Sequence, residues 1–197
     1  MLKKVAEILK GSYVTRTSGF LDVKAKAELF KEISAALGGA FSMSHTPGNV
    51  LSTLRIGIPY KQWEIILTES DTRPLKFEVA FESMLYYELV IGLEDSFDKI
   101  LKKLGKTEIE VGDMAFDKQY LIHSNDRELT CKLLNDSIRK KILKHSLYNI
   151  SYLTDKKAKR SGLTSVVNRT LSDKEAYLDL VTLHQLLADS LSELGIV

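Results

Sequence analysis

The chain has 197 residues, 44% of them apolar and 27% charged, with a net charge of +2. That length and composition fit one folded domain with a sizeable core, and they exclude a disordered or fibrous chain. A single cysteine, Cys131, excludes an internal disulfide and a cysteine-rich metal site.

In chain order, Leu2 to Leu9 predicts a short helix. A longer one starts at Asp22, with Ala25, Leu29, Ile33, Ala36 and Leu37 at three- and four-residue spacing. Gly38-Gly39 stops it, because glycine takes the left-handed conformation that a helix C-terminus favours. The cluster from His45 to Asn49 marks a turn. The apolar period then falls from 3.6 to 2. Leu54, Ile56 and Ile58 predict a strand that Pro59 ends or edges. Trp63, Ile65 and Leu67 predict a second, and Phe77, Val79 and Phe81 a third after a turn at Asp71 to Pro74. Leu85, Tyr87, Leu89, Ile91 and Leu93 predict a fourth. Four strands joined by short turns read as an antiparallel meander with one face buried.

Asp95 to Asp98 then caps a helix through Leu104, with Gly105 as its stop. Short strands are expected around Ile109–Val111 and Tyr120–Ile122. Asn125 is expected to cap the next helix with Glu128 at its third position, and Leu129, Leu133 and Leu134 form its buried side. Asn135-Asp136 breaks that helix before Ile138–Leu143. Strands at Tyr148–Tyr152 and Leu163–Val167 flank a basic loop. Ser172-Asp-Lys-Glu175 reads as a full capping box for a last helix, with Tyr177, Leu180, Leu183, Leu187, Leu191 and Leu194 on its inner side. The predicted fold class is α+β: an antiparallel β-meander sheet with helices packed on one face, in two layers, forming one domain over residues 1–197.

Within Gly112 to Leu143 stand Phe116-Asp117, a strand at Tyr120 and Ile122, a polar turn with Ser124 and Asp126, then Leu133-Leu134 and Ile138. This pattern resembles the signature of an uncharacterised bacterial family, itself a domain of unknown function. The resemblance covers about thirty residues and implies no catalytic residues. Related proteins often carry transmembrane segments beside the domain. Here no run approaches the ~18 apolar residues of a spanning helix, and MLKKVAEILKG lacks the apolar centre of a signal peptide. The expectation is a soluble, cytoplasmic protein.

Catalytic motifs are weak. Gly105-Lys106-Thr107 looks like the tail of a phosphate-binding loop, but the glycine such a loop needs at position 100 is an isoleucine, and a helix precedes it. His45, His123, His145 and His184 have no partners at metal-ligand spacing. His184 falls mid-helix beside the apolar stripe and reads as a partly buried packing residue. Cys131, between Leu129 and Leu133, reads as an inert thiol. Glu64, Glu78 and Glu88 occupy the polar phase of neighbouring strands, the solvated side of a one-sided sheet, within reach of Arg55.

Charge is the stronger signal. Nine bases and one acid between Ser137 and Thr170 give that segment +8 and leave −6 for the remainder. Arg139, Lys140, Lys141 and Lys144 precede a strand bearing Tyr148, Ile150 and Tyr152, and Lys156, Lys157, Lys159 and Arg160 follow it. Bases that neutralise phosphates beside aromatics that stack on nucleobases could bind single-stranded nucleic acid or an acidic membrane surface. The competing reading puts the tyrosines in the core and leaves the lysines to solvate a loop. Anion binding requires these bases to share one face. The first expectation is therefore a non-catalytic protein-interaction or scaffold module, with a protein partner or a second copy of itself and no cofactor. Anion binding through residues 139–160 is the alternative, and an enzyme of unidentified class comes third.

Overall fold

The structure, a computed structural model, describes residues 22–47, 51–93, 108–155 and 157–197. The helices expected at Leu2–Leu9 and Asp95–Leu104, the Gly105-Lys106-Thr107 stretch and Lys156 lie outside those residues.

The described elements are α1 (Val23–Ala36), β1 (Ala40–His45), β2 (Ser52–Tyr60), β3 (Trp63–Ser70), β4 (Arg73–Glu82), β5 (Leu89–Leu93), α2 (Met114–Gln119), β6 (Tyr120–Ser124), α3 (Arg127–Leu133), α4 (Asp136–His145), β7 (Asn149–Asp155), β8 (Arg160–Val167) and α5 (Lys174–Glu193). The strands form one eight-stranded sheet in the order β1-β2-β3-β4-β8-β7-β5-β6, antiparallel at every pairing. The fold is α+β with helices on one face of that sheet.

The meander runs from β1 to β4, and there the expected order of strands breaks. β4 pairs with β8, so the β7–β8 hairpin lies between β4 and β5. Pro59 sits inside β2, past the residues that β1 pairs, where its missing N–H costs no ladder bond. The alternation of the sequence marks the buried face correctly. Leu54, Ile56, Ile58, Ile65, Leu67, Leu75, Phe77, Val79 and Phe81 all point to the helices and are at most 3% exposed. Arg55 and Glu64, in the opposite phase, meet across β2 and β3 at 3.3 Å and are substantially exposed.

α1 begins at Asp22, whose carboxylate accepts from the Ala25 amide, and Gly38 follows its end with a φ of 62°. A side chain at Gly39 would bring its Cβ to 2.7 Å from the Gly57 carbonyl, so the turn into β1 needs glycine there. The buried stripe of α1 is not the one expected: Lys26, Ala27, Phe30, Ile33 and Ser34 face the sheet, and Ala25 is exposed. α5 is the central helix of the core and buries Tyr177, Leu180, Val181, Leu183, His184, Leu187, Ala188 and Leu191. Truncating one such leucine to alanine typically costs about 2–5 kcal/mol.

Several local expectations are corrected. β1 had no counterpart in the sequence reading. Ile109–Val111 is no strand; Glu108 alone forms a bridge, to His123. Leu85 and Tyr86 precede β5 rather than belonging to it. α3 is capped by Asp126, while the Asn125 side chain instead joins the Glu88 amide and the Tyr86 carbonyl. α5 is capped by Asp173, one residue after the serine of the expected capping box.

Candidate functional site

The basic segment divides into two groups with different surroundings. Four bases lie on α4. Arg139 is only 13% exposed and ties three helices together: its guanidinium bonds Asp113, the N-cap of α2, at 3.1 Å, the Leu134 carbonyl at the end of α3, and Asp136 in the first turn of α4. Lys141, Lys144 and His145 converge on Asp179 of α5; the Lys144 and His145 nitrogens lie 2.8 and 2.7 Å from its carboxylate. Burial pushes the Asp179 carboxyl upward, but the three hydrogen bonds outweigh it and hold the group below the usual carboxylate range. Lys140 and Lys144 are the exposed bases of α4. Apart from Lys140, its cations are neutralised, by Asp113 and Asp179 of neighbouring elements and by Asp136 of α4 itself.

The second group is the turn between β7 and β8. Lys157, Lys159 and Arg160 are exposed and have no ion pair among the described residues. β7 is 7 residues long, about 20 Å of extended chain. It lies along the chain between the end of α4 and this turn. The expected aromatics do not accompany either group. Ile150 and Tyr152 are at most 1% exposed, facing the helices, and Tyr148 is half-buried ahead of β7.

The remaining candidates resolve as follows. Glu64 pairs with Arg55, and Glu78 pairs with Lys76 at 2.6 Å on the solvated face. Cys131 is half-buried, with Thr130 rather than the thiol pointing inward to the Tyr87 hydroxyl at 2.8 Å. His184 is fully buried, not partly. It stacks on Phe77 at 4.3 Å, and its Nδ1–H donates to the Leu180 carbonyl. Its Nε2 therefore accepts from the Ser165 hydroxyl at 2.7 Å.

Ser165 and His184 have the look of a nucleophile and its base. The chemistry is not supplied. Both side chains are inaccessible, and a backbone carbonyl stands where a carboxylate would stabilise an imidazolium. Burial pushes the imidazole down to about 4, against the opposing effect of the Leu180 carbonyl. The pair is a buried polar link between β8 and α5.

A second buried polar group went unread because its parts are distant in sequence. Lys26 of α1, Glu69 of β3 and Tyr177 of α5 meet in the core. The lysine Nζ lies 3.2 Å from the Glu69 carboxylate and 2.7 Å from the Tyr177 hydroxyl, and it also bonds the Leu171 carbonyl. The Tyr177 hydroxyl donates to Glu69 at 3.0 Å. With Lys26 at 5% and Glu69 at 1% exposure, the group pins two helices to the sheet and offers no entry to a substrate.

Two surface features stand out. Among the described residues, β1 is an edge strand; it carries no Asp, Glu, Lys or Arg, and five of its six residues are exposed, Met43 to 41%. Met84, Leu85 and Tyr86 between β4 and β5 are exposed to 82%, 42% and 37%.

No family model matches the chain, and no curated protein matches it. Its fold is similar to a solved structure. That structure is the mycobacterial trehalose monomycolate transport factor A, with a TM-score of 0.54 over 87% of this chain and 97% of that one. At 8% identity the likeness concerns the arrangement of the backbone and transfers no residue. No helix among the described residues is long and apolar enough to cross a membrane.

Proposed function

We propose that the protein is a non-catalytic interaction module that associates through the edge strand β1, with a second copy of the chain as its partner. The observation that carries this reading is the character of β1. An edge strand presents a row of N–H and C=O groups without ladder partners, and proteins that stay monomeric blunt such edges with charge, proline or a bulge. Ala40 to His45 contains none of the first two, and its register against β2 is regular throughout.

Pairing two β1 strands antiparallel about a two-fold axis extends the sheet with main-chain hydrogen bonds. It also brings together two copies of Met43, whose side chain is on the same face as Phe41 and the core. Phe41 already packs edge-on against Phe30 at 6.5 Å, so the inner half of that surface is ordered before any partner arrives. The structural neighbour, described as a transport factor, is not named for a catalytic activity, which accords with this reading.

Sedimentation velocity tests it. The wild-type chain is expected to sediment heavier than its 22.2 kDa monomer as concentration rises. Met43→Lys, which places a charge on the edge, and Ser42→Pro, which removes an N–H, are expected to return it to the monomer. A wild-type chain that remains monomeric at its highest usable concentration contradicts the reading.

A further inference from the structure

The hairpin bases that make no ion pair among the described residues lie beside three consecutive exposed residues, Met84, Leu85 and Tyr86. β4 leaves the sheet at Glu82, and the Ser83 amide donates to the Lys159 carbonyl at 2.9 Å. The chain then crosses the end of the β7–β8 hairpin. The Met84 and Leu85 amides both approach the Ile196 carbonyl, at 3.1 and 3.3 Å, and the Tyr87 carbonyl accepts from the Thr154 hydroxyl at 2.7 Å. Met84, Leu85 and Tyr86 are thus strung between one residue tied to Lys159 and another tied to Thr154. Beside them stand the exposed side chains of Lys157, Lys159 and Arg160.

Three acids, Asp155, Glu82 and Glu88, border this corner. Asp155 accepts from the Lys157 and Ala158 amides at 2.9 and 3.2 Å, so its carboxylate is turned into the hairpin. Glu82 lies opposite Arg160 in the ladder without an ion pair to it, and the Glu88 carboxylate accepts from the Tyr86 hydroxyl. The backbone adds a further observation. Lys159 has a φ of 48°, a left-handed conformation that glycine or asparagine adopts more easily. The turn therefore carries a cation at a position where backbone geometry favours another residue.

We infer that this corner docks on an anionic lipid surface, with Met84 and Leu85 entering the acyl boundary and Lys157, Lys159 and Arg160 resting on the lipid phosphates. Exposed apolar side chains flanked by bases are the composition that settles in a bilayer interface, and the ring of Tyr86 suits the headgroup level. Single-stranded nucleic acid fits less well, because Tyr152, the aromatic residue of β7 that would stack on bases, is in the core. The inference is independent of β1 pairing, since β8 and β7 are the fifth and sixth strands from that edge.

Flotation of the full chain with vesicles tests it, comparing phosphatidylcholine alone with phosphatidylcholine containing phosphatidylglycerol. The chain is expected to float with the anionic vesicles only, and less so at high salt. Lys157→Gln and Lys159→Gly are each expected to weaken partitioning about fivefold, and Met84→Ser about tenfold. Lys159→Gly relieves the left-handed backbone, so its melting temperature is expected to hold or rise while lipid binding falls; loss of binding in that variant is not misfolding. Failure to float, equal flotation on neutral vesicles, or partitioning indifferent to all three substitutions overturns the inference. Salt-sensitive binding of single-stranded oligothymidylate without flotation also overturns it and reassigns the turn to nucleic acid.

Discussion

The Ser165 hydroxyl donates to Nε2 of His184 at 2.7 Å, and this one hydrogen bond joins β8 to the middle of α5 inside the core. Because Nδ1 is committed to the Leu180 carbonyl, the imidazole is neutral and already has both nitrogens satisfied. It is a packing residue that happens to titrate.

That role has a pH signature. His184 is lowered to about 4 in the folded chain by burial, whereas an unfolded histidine titrates near ~6.5. Below the unfolded value the unfolded chain takes up a proton that the folded chain refuses, so stability falls as pH drops from about 6.5 to about 4 and levels off below. The drop from this group is on the order of 3 kcal/mol. Urea titrations across that range are expected to show the slope in the wild type and a shallower one in His184→Gln. Equal slopes would mean the histidine is not buried as described.

Lys26 and Glu69 make a different prediction. Removing one member of a buried ion pair leaves the other charge uncompensated, at a cost of about 3–5 kcal/mol. Lys26→Met and Glu69→Leu are each expected to lose about that much stability by urea denaturation. The double variant is expected to lose much less than the sum, because it leaves no buried charge without a counter-charge. Additive losses would show that the two charges are not coupled across their 3.2 Å separation.

Asp179 anchors α4 to α5. Its carboxyl is depressed below the ordinary range, so it contributes stability above the unfolded carboxylate value near ~4, and that contribution fades as pH falls through the folded value. Asp179→Asn is expected to lower stability at neutral pH by about 1–3 kcal/mol. The gap between variant and wild type should narrow below about pH 4. A gap that is constant with pH would assign the effect to packing instead of charge.

The sequence was legible where structure is local. Period-2 alternation identified β2, β3 and β4 and the face they bury, and the Asp22 cap and the Gly38 stop bounded α1. β1 went unread although Phe41 and Met43 alternate with Ser42 and Ser44, because two apolar residues ahead of the His45–Asn49 turn are a short signal. The α1 stripe was misread by one position because Lys26 counts as polar by type, while in space it is buried against Glu69 of β3. The hairpin inserted between β4 and β5 depends on pairings such as Phe77 with Ser165, which no local pattern encodes.

The candidate sites were less legible for the same reason. Nine bases in one segment suggested one patch, yet Arg139, Lys141 and Lys144 are neutralised by Asp113 and Asp179 from other stretches of chain and by Asp136 on the same helix. Lys157, Lys159 and Arg160, which make no ion pair among the described residues, sit on a hairpin whose apolar neighbours, Met84 and Leu85, follow the end of β4. Charge density along a sequence records neither partner.

Hydrogen exchange of the Ala40–His45 amides, followed from dilute to concentrated protein, tests the association through β1 most directly. An antiparallel ladder points alternate residues to either side, so β2 protects one set of amides and leaves the other to a partner strand. The outward set is predicted to gain protection as concentration rises, with the β2-facing set unchanged, and Met43→Lys should abolish the gain. Outward amides that exchange at the same rate at every concentration would contradict the account.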